Sequence, residues 1–418
     1  MLGSVPLAPK ALEDYRTIVG DNAMSEIMAL AQALKGARVL HINATAFGGG
    51  VAEILSSEVP LMRDVGLFAE WQVIQGADEF FTITKAMHNS LQGMAKQCTP
   101  AMWDIWREYN CKNAAAFEGD YDFVIVHDPQ PAALRQMVEA KAKAMVNGKW
   151  IWRCHLDLTE AQVEVWEVLR PYIQRYDAAV FSLEDYVQHD LTGPRIFVIP
   201  PAIDPLCLKN IDLPDSTVQQ VLARYEVDSS RPMISQVSRF DPWKDPLGVI
   251  DAYRLVTKNV PDLQLVMVAS MAHDDPEGWA YYERTLRRAG EDFDIHVLTN
   301  LQGVGSVEVN CVQRASAVVV QKSIREGFGL SVAEALWKGR PVVAGAVGGI
   351  RLQVRDGENG YLVNTVEECA ERLLYLMEHP SLANQMGEVG RQHVRNHFLI
   401  TRYLRDDLKV LKGLADGQ

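Results

Sequence analysis

Two glutamates with seven residues between them stand in Ile324-Arg325-Glu326-Gly327-Phe328-Gly329-Leu330-Ser331-Val332-Ala333-Glu334. The segment follows the apolar run AVVVQ (317–321) and leads into the helix-like stretch LSVAEALWKG. This spacing predicts Glu326 in a glycine-rich loop and Glu334 in the second turn of the helix. A carboxylate accepts several hydrogen bonds at once, so such residues suit the hydroxyls of a sugar or a ribose and can fix their orientation. An acidic residue favouring the helix dipole, plus an ordinary surface glutamate, is the plainer account. It leaves the particular run EGFGLSVAE unexplained.

Cations suited to a phosphate occur earlier. Arg239 and Lys244 lie in SRFDPWK, just past another strand-like run, with Pro242 stiffening the turn. An arginine can clamp a diphosphate with two parallel bonds, while a lysine acts as a point charge. Gly48-Gly49-Gly50 precedes a helical pattern, where a flexible backbone and the unpaired N–H groups of a helix start favour an anionic ligand. The pattern is not GxGxxG, so a tight strand-to-helix turn would also account for it. Polar groups end two further strand-like runs: His127-Asp128-Pro129-Gln130, and Arg153-Cys154-His155-Leu156-Asp157. Residues at the carboxyl ends of parallel strands are placed to line a ligand site. His273-Asp274-Asp275 has the composition of a metal cluster but reads as a turn before a helix, and no metal is expected.

The elements that must position these groups alternate as βαβ units do. Strand-like runs fall at 37–43, 70–75, 122–127, 150–155, 178–182 and 195–200, then at 232–238, 263–269, 294–299, 317–321, 341–345 and 360–363. Between the two series lies PPAIDPLCLKNIDLPD (200–215), the expected linker. Helices alone are expected from about Ser381 to Leu414. The chain of 418 residues is long enough for two or three cores. Its reading is therefore an α/β protein of two doubly wound, parallel-sheet domains facing a cleft. The first spans 1–205 and the second 206–394, with helices from about 395 to 418 packing back on the first. The formal charge of −13 argues against nucleic-acid or anionic-membrane partners. No apolar run is long enough for a membrane span, and the N-terminus does not read as a secretory signal. Six scattered cysteines without a CxxC pair fit reduced thiols in the cytoplasm.

Together these residues resemble the retaining glycosyltransferases of family 4, which have the GT-B fold of two Rossmann-like domains. The resemblance covers essentially the whole chain. It rests on Glu326 and Glu334 and on the preceding pair Arg239 and Lys244. The stretches NATAFGGGVAEIL, VHDPQPAAL, WRCHLDL, QVSRFDPWK, MAHDDPEGW, SIREGFGLSVAEALWKG and VGGIRLQVRDGENGYLV look most like the trehalose-forming members. Many family members have glycine after the motif lysine, whereas Asp245 follows Lys244 here.

The resemblance implies transfer of a glucosyl unit from UDP-, ADP- or GDP-glucose to free glucose, giving α,α-trehalose without any metal or other cofactor. It implies that Arg239 and Lys244 neutralise the departing diphosphate, with Gly48, Gly49 and Gly50 close by. Glu326 would hold the transferred glucose, Glu334 the ribose, and His155 the donor sugar. Gly327, Phe328, Gly329 and Leu330 would line the donor, with its base near Asn300 and Leu301. Asp128 and Gln130 would meet the acceptor, with Asp157 behind them. The expected partners are the donor, glucose and trehalose, and a homodimer is left open. No carboxylate stands out as a nucleophile, so a front-face displacement fits better than a covalent intermediate. A trehalose phosphorylase of the same fold, another small sugar acceptor, and a non-catalytic sugar-nucleotide-binding protein are the competing readings.

Overall fold

The computed structural model describes residues 2–142, 147–271 and 276–417; His273-Asp274-Asp275 lies outside them. The chain forms two compact units, Met1–Ala202 with Ile400–Gln418, and Ile203–Leu399.

The first unit holds β1 (Gly3–Ser4), β2 (Arg38–Asn43), β3 (Phe68–Val73), β4 (Phe123–His127), β5 (Lys149–Cys154), β6 (Ala178–Phe181) and β7 (Arg195–Val198). They lie in the order β1-β3-β2-β4-β5-β6-β7, parallel except for β1 against β3. The second unit holds β8 (Met233–Val237), β9 (Gln264–Ala269), β10 (Ile295–Thr299), β11 (Val318–Gln321), β12 (Val342–Gly345) and β13 (Gly360–Val363). Their order is β10-β9-β8-β11-β12-β13, all parallel. The valine- and isoleucine-rich runs behave as helix-covered parallel strands should: β4 and β9 are buried at every position. The expected α/β class of two doubly wound parallel sheets is therefore present in both units.

In each sheet the chain starts in the middle, runs outward, and returns to the other side of its first long strand. The winding direction reverses between β2 and β4 in the first unit and between β8 and β11 in the second. Such reversals splay the following loops apart and leave a crevice at the strands' carboxyl ends.

Three local outcomes bear on the site. The third strand begins at Phe68, two residues before the expected run, because the Phe68 N–H already donates to Ala37 O at 2.8 Å. The helix Pro380–His397 belongs to the second unit, whereas Ile400–Ala415 belongs to the first. This last helix buries Tyr403, Leu404, Leu408 and Leu411 and packs on the helices Arg16–Ala33 and Gly50–Asp64. It also brings Asp407 to Arg153 on β5, a buried ion pair at 2.6 Å with Tyr403 stacked 4.2 Å from the guanidinium. No helix among the described residues is long and apolar enough to cross a membrane.

Candidate active site

In the second unit, the loops after β8 and β11 are neighbours because those strands pair directly, Val318 with Ile234 and Val319 with Ser235. The Ile324 N–H donates to Trp243 O at 2.8 Å, which ties one loop to the other. Lys244 Nζ then reaches Glu326 Oε2 at 2.6 Å, and Ser323 Oγ donates to the same oxygen at 3.1 Å. Gln321 Nε2 supports Ser323 at 3.0 Å. The structure thus joins the motif lysine and the first motif glutamate, 82 residues apart, in one ion pair. Arg239, nearly half exposed, pairs with buried Asp241 at 3.3 Å.

Asp245 has a φ of +46°, in the left-handed region that glycine favours. Its carboxylate offsets that strain in two ways. It caps the helix Pro246–Val256 through the Gly248 N–H at 3.0 Å, and it pairs with Lys322.

Glu334 sits in the second turn of the helix Leu330–Trp337, almost fully buried, with Lys209 3.4 Å away. Lys338, one turn further on, donates to Asn210 Oδ1, Gln313 Oε1 and Glu334 O. Burial pushes the Lys338 ammonium down to about 7. Phe328 is buried against Phe398, while Gly327 and Phe328 lie so close to Gly349 that a β-carbon there would stand 2.6 Å from the Phe328 Cα. Gly349 therefore lets the glycine-rich loop seat. Asn300 spends its side chain on the Met271 backbone, receiving 2.6 Å and giving 3.1 Å bonds, and Leu301 beside it is half exposed.

In the first unit, Asn43 at the end of β2 donates to Thr45 O at 2.7 Å and so steadies the loop toward the glycines. Gly48 has φ +80°, and Gly49 precedes the helix Gly50–Asp64, whose start carries no side-chain cap. After β4, Asp128 adopts φ +65°. Its N–H donates to Arg153 O, and its Oδ1 accepts the His155 N–H, each at 2.8 Å. Burial pushes the Asp128 carboxyl up to about 7. Gln130 is fixed through its carbonyl, which accepts from Trp106 Nε1 at 2.9 Å and Asn110 Nδ2 at 3.0 Å. Asp157 accepts from the Thr159 N–H at 3.0 Å and hydroxyl at 2.6 Å, an Asx turn that uses one of its oxygens.

Each unit therefore gathers its own share of the expected residues. Gly48 to Gly50, Asp128, Gln130, His155 and Asp157 follow β2, β4 and β5; Arg239, Lys244, Asn300, Leu301 and Glu326 to Glu334 follow β8, β10 and β11. Sequence reading missed the groups that hold these residues: Asp241, Lys322, Ser323 and Lys209. It also missed His41, which lies mid-strand in β2 with Nδ1 3.2 Å from His127 Nε2. A histidine inside the apolar run RVLHIN was the available signal for it.

Residues 41–188 match the family described as trehalose synthase, N-terminal domain, and residues 219–393 match glycosyl transferases group 1. Trehalose synthase from Thermococcus litoralis is 50% identical over 97% of this chain and 97% of its own length. That of Rubrobacter xylanophilus is 49% identical over 99% of both. Among solved structures, a UDP-forming α,α-trehalose-phosphate synthase from Burkholderia xenovorans in complex with glucose-6-phosphate superposes with TM-score 0.73. It covers 90% of this chain and 100% of that one at 14% identity, a likeness of fold, which is GT-B. With half its residues shared along nearly its whole length, the chain belongs to the trehalose synthase family of glycosyltransferases.

Proposed function

We propose that the protein transfers glucose from a nucleoside-diphosphate glucose to the anomeric hydroxyl of free glucose, with retention, giving α,α-trehalose without a divalent metal. The observation that carries this reading is the meeting of Lys244 with Glu326 where the winding of the second sheet reverses. A cation for phosphate and a carboxylate for sugar hydroxyls lie there within one hydrogen bond of each other. The glycines of the first unit, near the corresponding reversal, also approach the donor.

In this reading Arg239 and Lys244 neutralise charge as the diphosphate leaves, which is electrostatic stabilisation by groups already in place. Glu326 holds hydroxyls of the transferred glucose, and the backbone of Gly327 to Leu330 follows the donor at the helix start. Glu334, buried beside Lys209, holds the ribose. The base lies against the backbone of Asn300 and Leu301, in keeping with the structural use of the Asn300 amide. His155 meets the donor sugar, while Asp128 and Gln130 meet the acceptor, with Asp157 supporting them. Both motif glutamates are engaged by lysines, which favours hydroxyl-holding roles over nucleophilic attack on the anomeric carbon. The acceptor hydroxyl enters on the face the diphosphate leaves, and a departing phosphate oxygen takes its proton.

The test is to incubate the chelator-treated protein with glucose and UDP-, ADP- or GDP-glucose, or with glucose 1-phosphate. Trehalose formed with a nucleotide donor supports the proposal. Trehalose formed only from glucose 1-phosphate makes the protein a phosphorylase, and a strict need for restored magnesium or manganese refutes metal independence.

A further inference from the structure

Three histidines form one hydrogen-bonded row across the first sheet. Nδ1 of His41 on β2 lies 3.2 Å from Nε2 of His127 on β4, and Nδ1 of His127 lies 3.0 Å from Nε2 of His155, just past β5. The rings lie edge to edge and nearly coplanar, with centroids 5.4 and 5.3 Å apart and interplanar angles of 24° and 14°. The surroundings keep all three neutral. Burial, followed by the Arg153 guanidinium, holds His155 down to about 3; burial holds His41 down to about 4, and His127 well below its usual range. The charges facing the row are Arg153 and Asp407, and both Asp407 oxygens bond Arg153.

A neutral imidazole has one N–H and one bare nitrogen. His127 bonds a ring on either side, so it donates on one and accepts on the other. The three tautomers are then locked together, and the row runs in one of two directions. If His41 donates to His127 and His127 to His155, then Nδ1 of His155 carries a proton. If the row runs backward, that nitrogen is bare. The far end selects between them. His41 Nε2 is buried without a hydrogen-bond partner among the described residues, so the backward order would orphan an N–H there. Orphaned buried N–H groups are rare. The forward order leaves only a bare nitrogen.

We propose that His41 and His127 are positioning residues that fix His155 as a hydrogen-bond donor, through Nδ1, toward a hydroxyl oxygen of the transferred sugar. The contact with sugar rests on the function proposed above; the tautomer lock does not. The backbone of His155 is held separately by Asp128 Oδ1 at 2.8 Å, so the ring's proton can be altered without losing its anchor.

The experiment is long-range proton–nitrogen NMR on the full-length protein labelled in its ten histidines, with His155 assigned by the signals lost in His155→Gln. In the wild type His155 should be a single neutral tautomer, protonated at Nδ1. His41→Leu removes the first donor and should leave His155 a mixture of tautomers, with kcat down about 10-fold. His41→Asn, whose amide N–H falls near the lost Nδ1, should restore the single tautomer and most of the rate. A wild-type His155 protonated at Nε2, or an unchanged single tautomer in His41→Leu, overturns the lock. The wild-type spectrum tests the direction even where His41→Leu destabilises the fold. Unchanged transfer by His155→Gln would support the lock through the spectra but overturn its link to the sugar.

Discussion

Lys244 cannot give its full charge to a diphosphate while Glu326 holds it at 2.6 Å. On the proposed roles, Glu326→Gln frees that charge but takes the carboxylate from the sugar. This variant should bind nucleoside diphosphate more tightly by calorimetry while kcat falls about 10²-fold, as when a contact made mainly in the transition state is lost. In its proposed role as ribose holder Glu334 should fail differently, because that contact would be alike before and during the reaction. Glu334→Ala should raise the donor KM about 10-fold, equivalent to roughly 1.4 kcal/mol, with kcat little changed. Thermal unfolding must be followed alongside, since Lys209 and Lys338 both face Glu334. Asp128 offers a pH test. Its carboxyl is raised to about 7, so between roughly pH 4 and 7 the unfolded chain releases a proton that the folded chain keeps. Stability contributed by this group therefore falls as pH rises through that window. If the carboxylate is the form that accepts a hydroxyl from the acceptor, kcat/KM for glucose rises with pH through about 7. Asp128→Asn should remove that rise, and a rise that persists in the variant would assign it elsewhere.

At the level of elements, the strands were legible because each is a short apolar run bounded by turn residues, and the motif loops follow them directly. Burial on both faces gives such runs no alternation, so their ends were less legible, as the early start at Phe68 demonstrates. The meeting of Lys244 with Glu326 was not readable from spacing, because it depends on β11 returning beside β8 after two outward strands. Nor was the departure at Asp245, whose left-handed backbone is accommodated by Lys322 and the Gly248 N–H. The final helix was legible as a helix, but its one buried carboxylate on Arg153 was not. Removing Asp407 would leave that guanidinium buried without its counter-charge. Glu58 is a poor substitute, since burial, the largest cause holding its carboxyl well above the usual range, remains in the variant. Asp407→Ala should destabilise the first unit by about 3–5 kcal/mol, measured by denaturant unfolding. A loss below about 1 kcal/mol would show that Arg153 finds another partner.

Across the whole molecule, two kinds of likeness carry different weight. Fold is shared with solved structures at 14% identity, whereas 50% identity along the length places the chain in its family. What the sugar chemistry adds is stereochemistry, and an isotope reads it directly. The protein is given an α-linked nucleoside-diphosphate glucose carrying ¹³C at C1, together with unlabelled glucose, and the product is examined by NMR. Retaining transfer predicts one non-reducing disaccharide, α,α-trehalose, with a single labelled ring whose anomeric carbon is α. A β-configured labelled carbon, or a disaccharide that keeps a reducing end, would contradict the account.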